Sequence, residues 1–136
     1  MAYSTADIRN IALVGQAGAG KTLLAESLLS ESGAIRSRGS LERGTTVCDF
    51  DPQEQELRHS LDAALVHFDV GPCHVNLLDT PGYPDFAGRA LSVLEAVETA
   101  AIVVSAVNGI EPVTQRMNFA QPAALTASIS THNRRR

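Results

Sequence analysis

Gly15-Gln16-Ala17-Gly18-Ala19-Gly20-Lys21-Thr22 is the stretch that decides the fold, and it satisfies G-x-x-x-x-G-K-[ST] at every fixed position. Upstream, Ile8 to Val14 (IRNIALV) is a short, mostly apolar run rich in β-formers that ends at the first glycine, as a buried strand does. Downstream, Thr22 to Leu29 (TLLAESLL) has helical propensity, with Leu24, Ala25 and Leu28 on one face. Strand, glycine loop, helix is the setting that a phosphate-binding loop requires. The glycines let the backbone turn its N–H groups inward, and the helix N-terminus adds the positive end of its dipole. In this reading Gly15, Gln16, Ala17, Gly18, Ala19 and Gly20 wrap the phosphates of a nucleoside triphosphate. Lys21 neutralises the β- and γ-phosphates, and the Thr22 hydroxyl reaches Mg²⁺. The dinucleotide pattern G-x-G-x-x-G is excluded, because its third glycine would fall at Leu23.

Lys21 is the single lysine in a chain with ten arginines. A site that keeps lysine in such a background is one where arginine does not fit. A tight backbone loop accepts a compact ammonium and rejects a broad planar guanidinium.

The rest of the composition bounds the answer. At 136 residues and 44% hydrophobic, the chain suits one small domain with a core. A net charge of −4 gives no electrostatic footprint for nucleic acid. Cys48 and Cys73 stand apart, with no ligand-spaced partners, which fits a reduced cytoplasmic setting. No basic segment followed by an apolar run opens the sequence, and no apolar stretch reaches the ~18 residues of a membrane span.

Further along, Gly33 to Ser60 is long, polar and aperiodic, the signature of a functional loop. Leu61 to Phe68 and Cys73 to Leu78 flank Asp69-Val70-Gly71-Pro72 and predict a hairpin. Gly88 to Thr99 predicts a helix, and Ala100 to Val107 (AAIVVSAV) a central parallel strand. Glu111-Pro112 opens another helix. From Gln121 onward the Ala/Ser/Thr-rich residues, ending in Asn133-Arg134-Arg135-Arg136, show no core pattern and predict an irregular tail. The division is therefore a leader (1–7), a domain (8–120) and a tail (121–136).

Asp79-Thr80-Pro81-Gly82 closes the strand that begins at Cys73. An acid there, beside the first strand, can hold Mg²⁺ through its water shell, and Gly82 can bring a backbone N–H to the γ-phosphate. A hydroxyl from the polar loop is also needed at the metal. Thr45 or Thr46 compete with Ser60, and Ser60 is favoured because it directly precedes the hairpin that delivers Asp79. His59, His67 and His74 have no nucleophile or carboxylate at a meaningful sequence spacing. Asp51, Glu54 and Glu56 read as a solvated face.

With these residues in hand, the chain resembles the N-terminal part of the translation-factor GTPases, most closely elongation factor G and its paralogues. The resemblance runs from Ile8 to about Met117. It rests on the glycine loop, Gly44-Thr45-Thr46-Val47, Asp49-Phe50-Asp51-Pro52, Asn76 to Phe86 (NLLDTPGYPDF) and Ala106-Val107-Asn108-Gly109-Ile110-Glu111. It implies an α/β P-loop NTPase fold, a mixed and mostly parallel sheet flanked by helices, with GTP and Mg²⁺ as cofactors and a ribosome that stimulates hydrolysis.

Three departures qualify it. Leu57-Arg58-His59-Ser60 replaces the usual Arg-Gly-Ile-Thr/Ser. Tyr83 stands where the family's water-orienting His follows D-T-P-G, which makes Tyr83, with Lys21, the catalytic pair that the resemblance assigns. No N-K-x-D occurs, so the base-reading Asp is absent, and the sequence predicts a sheet that stops before the base-recognition strand. Two rivals stand beside this reading: an ATP-dependent P-loop enzyme, and a nucleotide-gated binding module with very slow hydrolysis.

Overall fold

The computed structural model describes residues 3–57, 59–119 and 125–131. Its centre is β1 (Ile8–Val14), whose last residues are buried on both faces, Leu13 to one side and Ala12 and Val14 to the other. Five strands form one sheet in the order β2-β3-β1-β4-β5. β3 (Cys73–Asp79) and β4 (Thr99–Ser105) run parallel to β1 on either side, and β5 (Leu125–Thr131) runs parallel to β4. Only β2 (Ala64–Val70) is antiparallel, returning through the hairpin turn at Gly71 to pair with β3. This is the mixed, mostly parallel α/β sheet of the P-loop NTPase class.

Helices cover both faces, which is why the central strands read as continuous apolar runs instead of alternating ones. α1 (Lys21–Glu31) sets Ala25 and Leu29 against Leu13, Leu77 and Phe68. On the other face, Ala90 and Leu94 of α3 (Ala87–Leu94) and Val113 and Met117 of α4 (Pro112–Phe119) pack on Ala12, Val14 and Ile102. Each fully buried leucine contributes about 1.5–3 kcal/mol. Among the described residues, no helix is long and apolar enough to cross a membrane.

Three expectations are corrected. Leu125–Thr131, expected to be irregular, is β5, in full register with β4 from Thr99↔Leu125 to Ser105↔Thr131. Ala100 to Val107 is therefore not the last strand of the sheet. Backbone pairing to the buried strand β4 holds a segment whose composition gives little apolar signal. The remaining tail residues, 121–124 and 132–136, lie outside the described residues. Second, the polar stretch contains a short helix, α2 (Pro52–Leu57). Third, Glu54 in α2 is not on a solvated face. It is buried and accepts from the backbone N–H groups of Leu61 (2.8 Å) and Asp62 (3.2 Å).

Candidate functional site

The glycine loop leaves β1 where β4 is closest. β1 pairs with β4 through Val14↔Ile102, and Gly15, next in line with φ +142°, faces Val103 so tightly that a Cβ would lie 2.3 Å from its carbonyl oxygen. From there the chain turns back to start α1 at Lys21. The first-turn N–H groups of a helix have no helical carbonyl to bond and face the loop. The Gln16 amide N–H donates to Thr114 Oγ1 (3.2 Å), which fixes the loop to α4. Thr114 was not visible in the sequence as a site residue, because no local motif marks a contact across so many positions.

Lys21 is buried inside this loop. Its Nζ donates to the carbonyls of Gly15 (2.9 Å) and Gln16 (3.0 Å), so two of its three donors hold the loop closed. Burial pushes the ammonium below its usual pKa, and nearby Asp79 partly offsets this.

Asp79, Thr80, Pro81 and Gly82 form the opposite wall. Thr80 ties the end of β3 to the end of β1 through N (3.3 Å) and Oγ1 (2.7 Å), both donating to the Leu13 carbonyl. Gly82 then lies directly on the loop: the Ala17 N–H donates to its carbonyl at 2.9 Å. A Cβ on Gly82 would meet Ala17 N at 2.4 Å and Lys21 Nζ at 2.5 Å, so only glycine permits this approach.

Asp79 itself is buried. Thr22 Oγ1 donates to its Oδ2 at 2.6 Å, while Oδ1 is buried without a hydrogen-bond partner. A half-satisfied carboxylate beside a hydroxyl offers oxygen donors of the kind a hard divalent cation takes. Thr22 and Asp79, assigned to Mg²⁺ from sequence, are thus in direct contact.

Ser60 and Tyr83 line the same cavity of about 280 Å³ as Gly18, Lys21, Thr22 and Gly82. The Ser60 hydroxyl donates to Asp49 Oδ1 (2.8 Å) and not toward Asp79, and its rival Thr46 donates to the other Asp49 oxygen (2.9 Å). Thr45 instead accepts from Ser40 N (2.9 Å). Buried Thr46 and half-buried Ser60 therefore share one carboxylate to which sequence reasoning had given no site role. The signal for Asp49 was its place between them. His74, expected to lack a carboxylate, has one: β2–β3 register sets Asp69 opposite it, with Nδ1···Oδ1 at 2.7 Å. Burial, reinforced by nearby acids, pushes the Cys48 thiol far up, away from the thiolate a nucleophile needs.

The sequence profile of the elongation factor Tu GTP-binding domain matches residues 6–127, taking in every residue of this site. The chain belongs to the translation-factor GTPase family. An elongation factor G-like protein of Mycobacterium tuberculosis is 40% identical over 110 residues, which cover 81% of this chain and 15% of that protein. Elongation factor G 2 of Streptomyces coelicolor is 39% identical over 105 residues, with 77% and 15% covered. A crystal structure of a Thermus thermophilus protein superposes with a TM-score of 0.81 at 41% identity, covering 85% of this chain and 17% of that one. The chain thus spans about one sixth of the length of these similar proteins.

Burial raises the Asp79 carboxyl to about 6, against the smaller opposing effects of the Thr22 hydrogen bond and Lys21. The metal-free folded chain therefore holds this proton more tightly than the unfolded chain. The resulting stability is present at low pH and lost as pH rises through about 6. Asp79→Asn, which cannot ionise, is expected to flatten that part of the curve. In EDTA, its melting temperature should gain on wild type between pH 5 and pH 7.5. In the same variant, adding Mg²⁺ should no longer tighten nucleotide binding. Parallel melting curves and an unchanged Mg²⁺ effect would remove Asp79 from the metal site.

Proposed function

We propose that this chain forms the triphosphate- and metal-binding part of a GTP-hydrolysing translation factor that works in the cytoplasm on the ribosome. One observation carries the reading: the Thr22–Asp79 hydrogen bond leaves a second, buried Asp79 oxygen unsatisfied beside the ammonium of Lys21. In this reading Lys21 and the loop amides, apart from those of Gln16, Ala17 and Ala19 that bond within the protein, grip the β- and γ-phosphates and stabilise charge that develops on the transferred group. Thr22 and Asp79, with Ser60 once it exchanges its bond to Asp49, hold Mg²⁺. When bound, the metal neutralises the phosphate oxygens. Gly82 keeps its segment against the loop, so that occupancy of the γ-phosphate position is felt by the residues that follow it.

Titration of a fluorescent GTP analogue tests this. Binding should require Mg²⁺ and be lost in EDTA. ATP should compete nearly as well as GTP against this chain, because it has no N-K-x-D to read the guanine edge. Absence of Mg²⁺-dependent binding would overturn the proposal, and a tenfold preference for ATP would favour the ATP-dependent reading.

A second reading, a nucleotide-gated binding module that hydrolyses slowly, is favoured by Tyr83. A phenol cannot supply the imidazolium that His offers at that position. Ribosome-stimulated turnover measured in single-turnover mode separates the two.

A further inference from the structure

Two consecutive peptide groups of the glycine loop are each held at both ends. In the first, the Gly15 carbonyl accepts from Lys21 Nζ at 2.9 Å while the Gln16 N–H donates to Thr114 Oγ1 at 3.2 Å. In the second, the Gln16 carbonyl accepts from the same Nζ at 3.0 Å while the Ala17 N–H donates to the Gly82 carbonyl at 2.9 Å. A trans peptide group is planar, so its N–H and C=O point in opposite directions and turn together. Whatever fixes the N–H therefore aims the carbonyl. The second plane is aimed by backbone, from the segment that follows β3. The first is aimed by one side chain, 98 positions further along the chain.

Thr114 is well placed to hold a plane still. It is buried in the first turn of α4, and Val113 and Met117 of the same helix pack on Ala12, Val14 and Ile102. The hydroxyl is thus carried by a helix that the core itself immobilises. It lies behind the loop and is not among the residues that line the cavity. Its effect must therefore pass through the loop. If the first plane were free to rock, the Gly15 carbonyl would swing away and Lys21 would keep only one of its two carbonyl partners. The end of a flexible four-carbon stem would then be less sharply placed.

We propose that Thr114 is a positioning residue for triphosphate binding: by holding the Gln16 N–H it orients the Gly15 carbonyl, and through that carbonyl it sets where the Lys21 ammonium stands. The proposal rests on the triphosphate-binding reading above. It gives α4 a part in the grip on the phosphates without any contact of its own with the nucleotide. The two walls of the loop then divide the work: Gly82 aims the Gln16 carbonyl and Thr114 aims the Gly15 carbonyl, and one ammonium reads both.

The test compares two substitutions in the full chain. Thr114→Val keeps the shape and removes the acceptor, and Thr114→Ser keeps the acceptor. Mg·GTP affinity is titrated with the fluorescent analogue, and hydrogen exchange of the Gln16 and Ala17 amides is followed by NMR without nucleotide. Thr114→Val should weaken Mg·GTP binding about tenfold, the scale of one hydrogen bond, and Thr114→Ser should stay within about threefold of wild type. With Lys21→Ala already in place, Thr114→Val should cost less than about twofold, because the residue through which it acts is gone. Exchange at Gln16 should be about tenfold faster in Thr114→Val, with Ala17 unchanged. Unchanged affinity in Thr114→Val, or an equal loss in Thr114→Ser, would overturn the role while Mg²⁺-dependent binding by the wild type leaves the reading intact. A tenfold loss that persists beside Lys21→Ala would also overturn it, since Thr114 would then support the fold without aiming the ammonium. Should Thr114→Val fail to fold, the wild type decides: a protected Gln16 amide with binding retained in Thr114→Ser supports the role, and exchange at the rate of an open amide overturns it. A wild-type chain without Mg²⁺-dependent binding would overturn both.

Discussion

Gly15→Ala should lower the melting temperature of this chain by roughly 10–20 °C. Two penalties act together. At φ +142° an L side chain is strained, which costs on the order of 1–3 kcal/mol. The new Cβ would also sit 2.3 Å from the Val103 carbonyl oxygen, in a place where neither neighbour is a flexible side chain. Relief requires β1 and β4 to part just where Val14 and Ile102 pair, opening both layers of the core. A total of roughly 3–5 kcal/mol follows, a substantial share of the stability of a small domain. Gly18→Ala is the matched control, because no atom lies within 4 Å of its added Cβ. It shares only the backbone strain and should melt well above Gly15→Ala. Thermal melts followed by circular dichroism decide the matter. Equal melting temperatures for the two variants would show that the Val103 contact does not govern the loop.

The second large effect concerns affinity. Lys21→Arg should weaken binding of Mg·GTP by about 100-fold, or about 2.8 kcal/mol, nearly as much as Lys21→Ala. The ammonium is buried within hydrogen-bond reach of two loop carbonyls, Gly15 and Gln16. A guanidinium is wider and flat, and it cannot converge on two carbonyls of one tight turn while still facing a phosphate. Its charge is retained, so electrostatics alone would predict near-normal binding. Titration of the two variants therefore separates shape from charge. Wild-type affinity in Lys21→Arg would refute the steric account and leave the lone lysine of this arginine-rich chain unexplained.

What could be read from the sequence was whatever depends on neighbours in the chain. Gly15 to Thr22 carries its own geometry, and Asp79 ends an apolar strand, so both announced themselves, and their contact through Thr22 followed from topology. The hairpin was legible from Asp69-Val70-Gly71-Pro72. What was hidden depends on distant partners. Thr114 acts only because α4 returns to the loop, and Glu54 is polar by composition but buried by position. β5 has a weak apolar pattern and takes its order from the backbone of β4. His59 was visible as a residue, but its place on the cavity with Tyr83 emerges only from the fold. The irregular reading of Leu125–Thr131 missed β5 for the same reason: composition registers side chains, whereas a parallel strand is recruited through N–H and C=O groups.

The polar stretch from Gly33 to Ser60 is ordered by carboxylates where a core would use leucines. Glu26 of α1, wholly buried, receives the N–H groups of Gly39 and Val47. Asp49 takes Thr46 and Ser60, and Glu54 takes the residues that follow. Fixing each residue of such a segment costs about 1–2 kcal/mol of conformational entropy. Three staples divide one long closure into several short ones, yet they bury little apolar surface of their own. The segment thus sits at the low-stability end of the molecule's spectrum of local openings and can unfasten as a unit while the sheet stays folded. Its order is shared among three acidic side chains, one of which, Glu26, lies on the same helix that Lys21 begins.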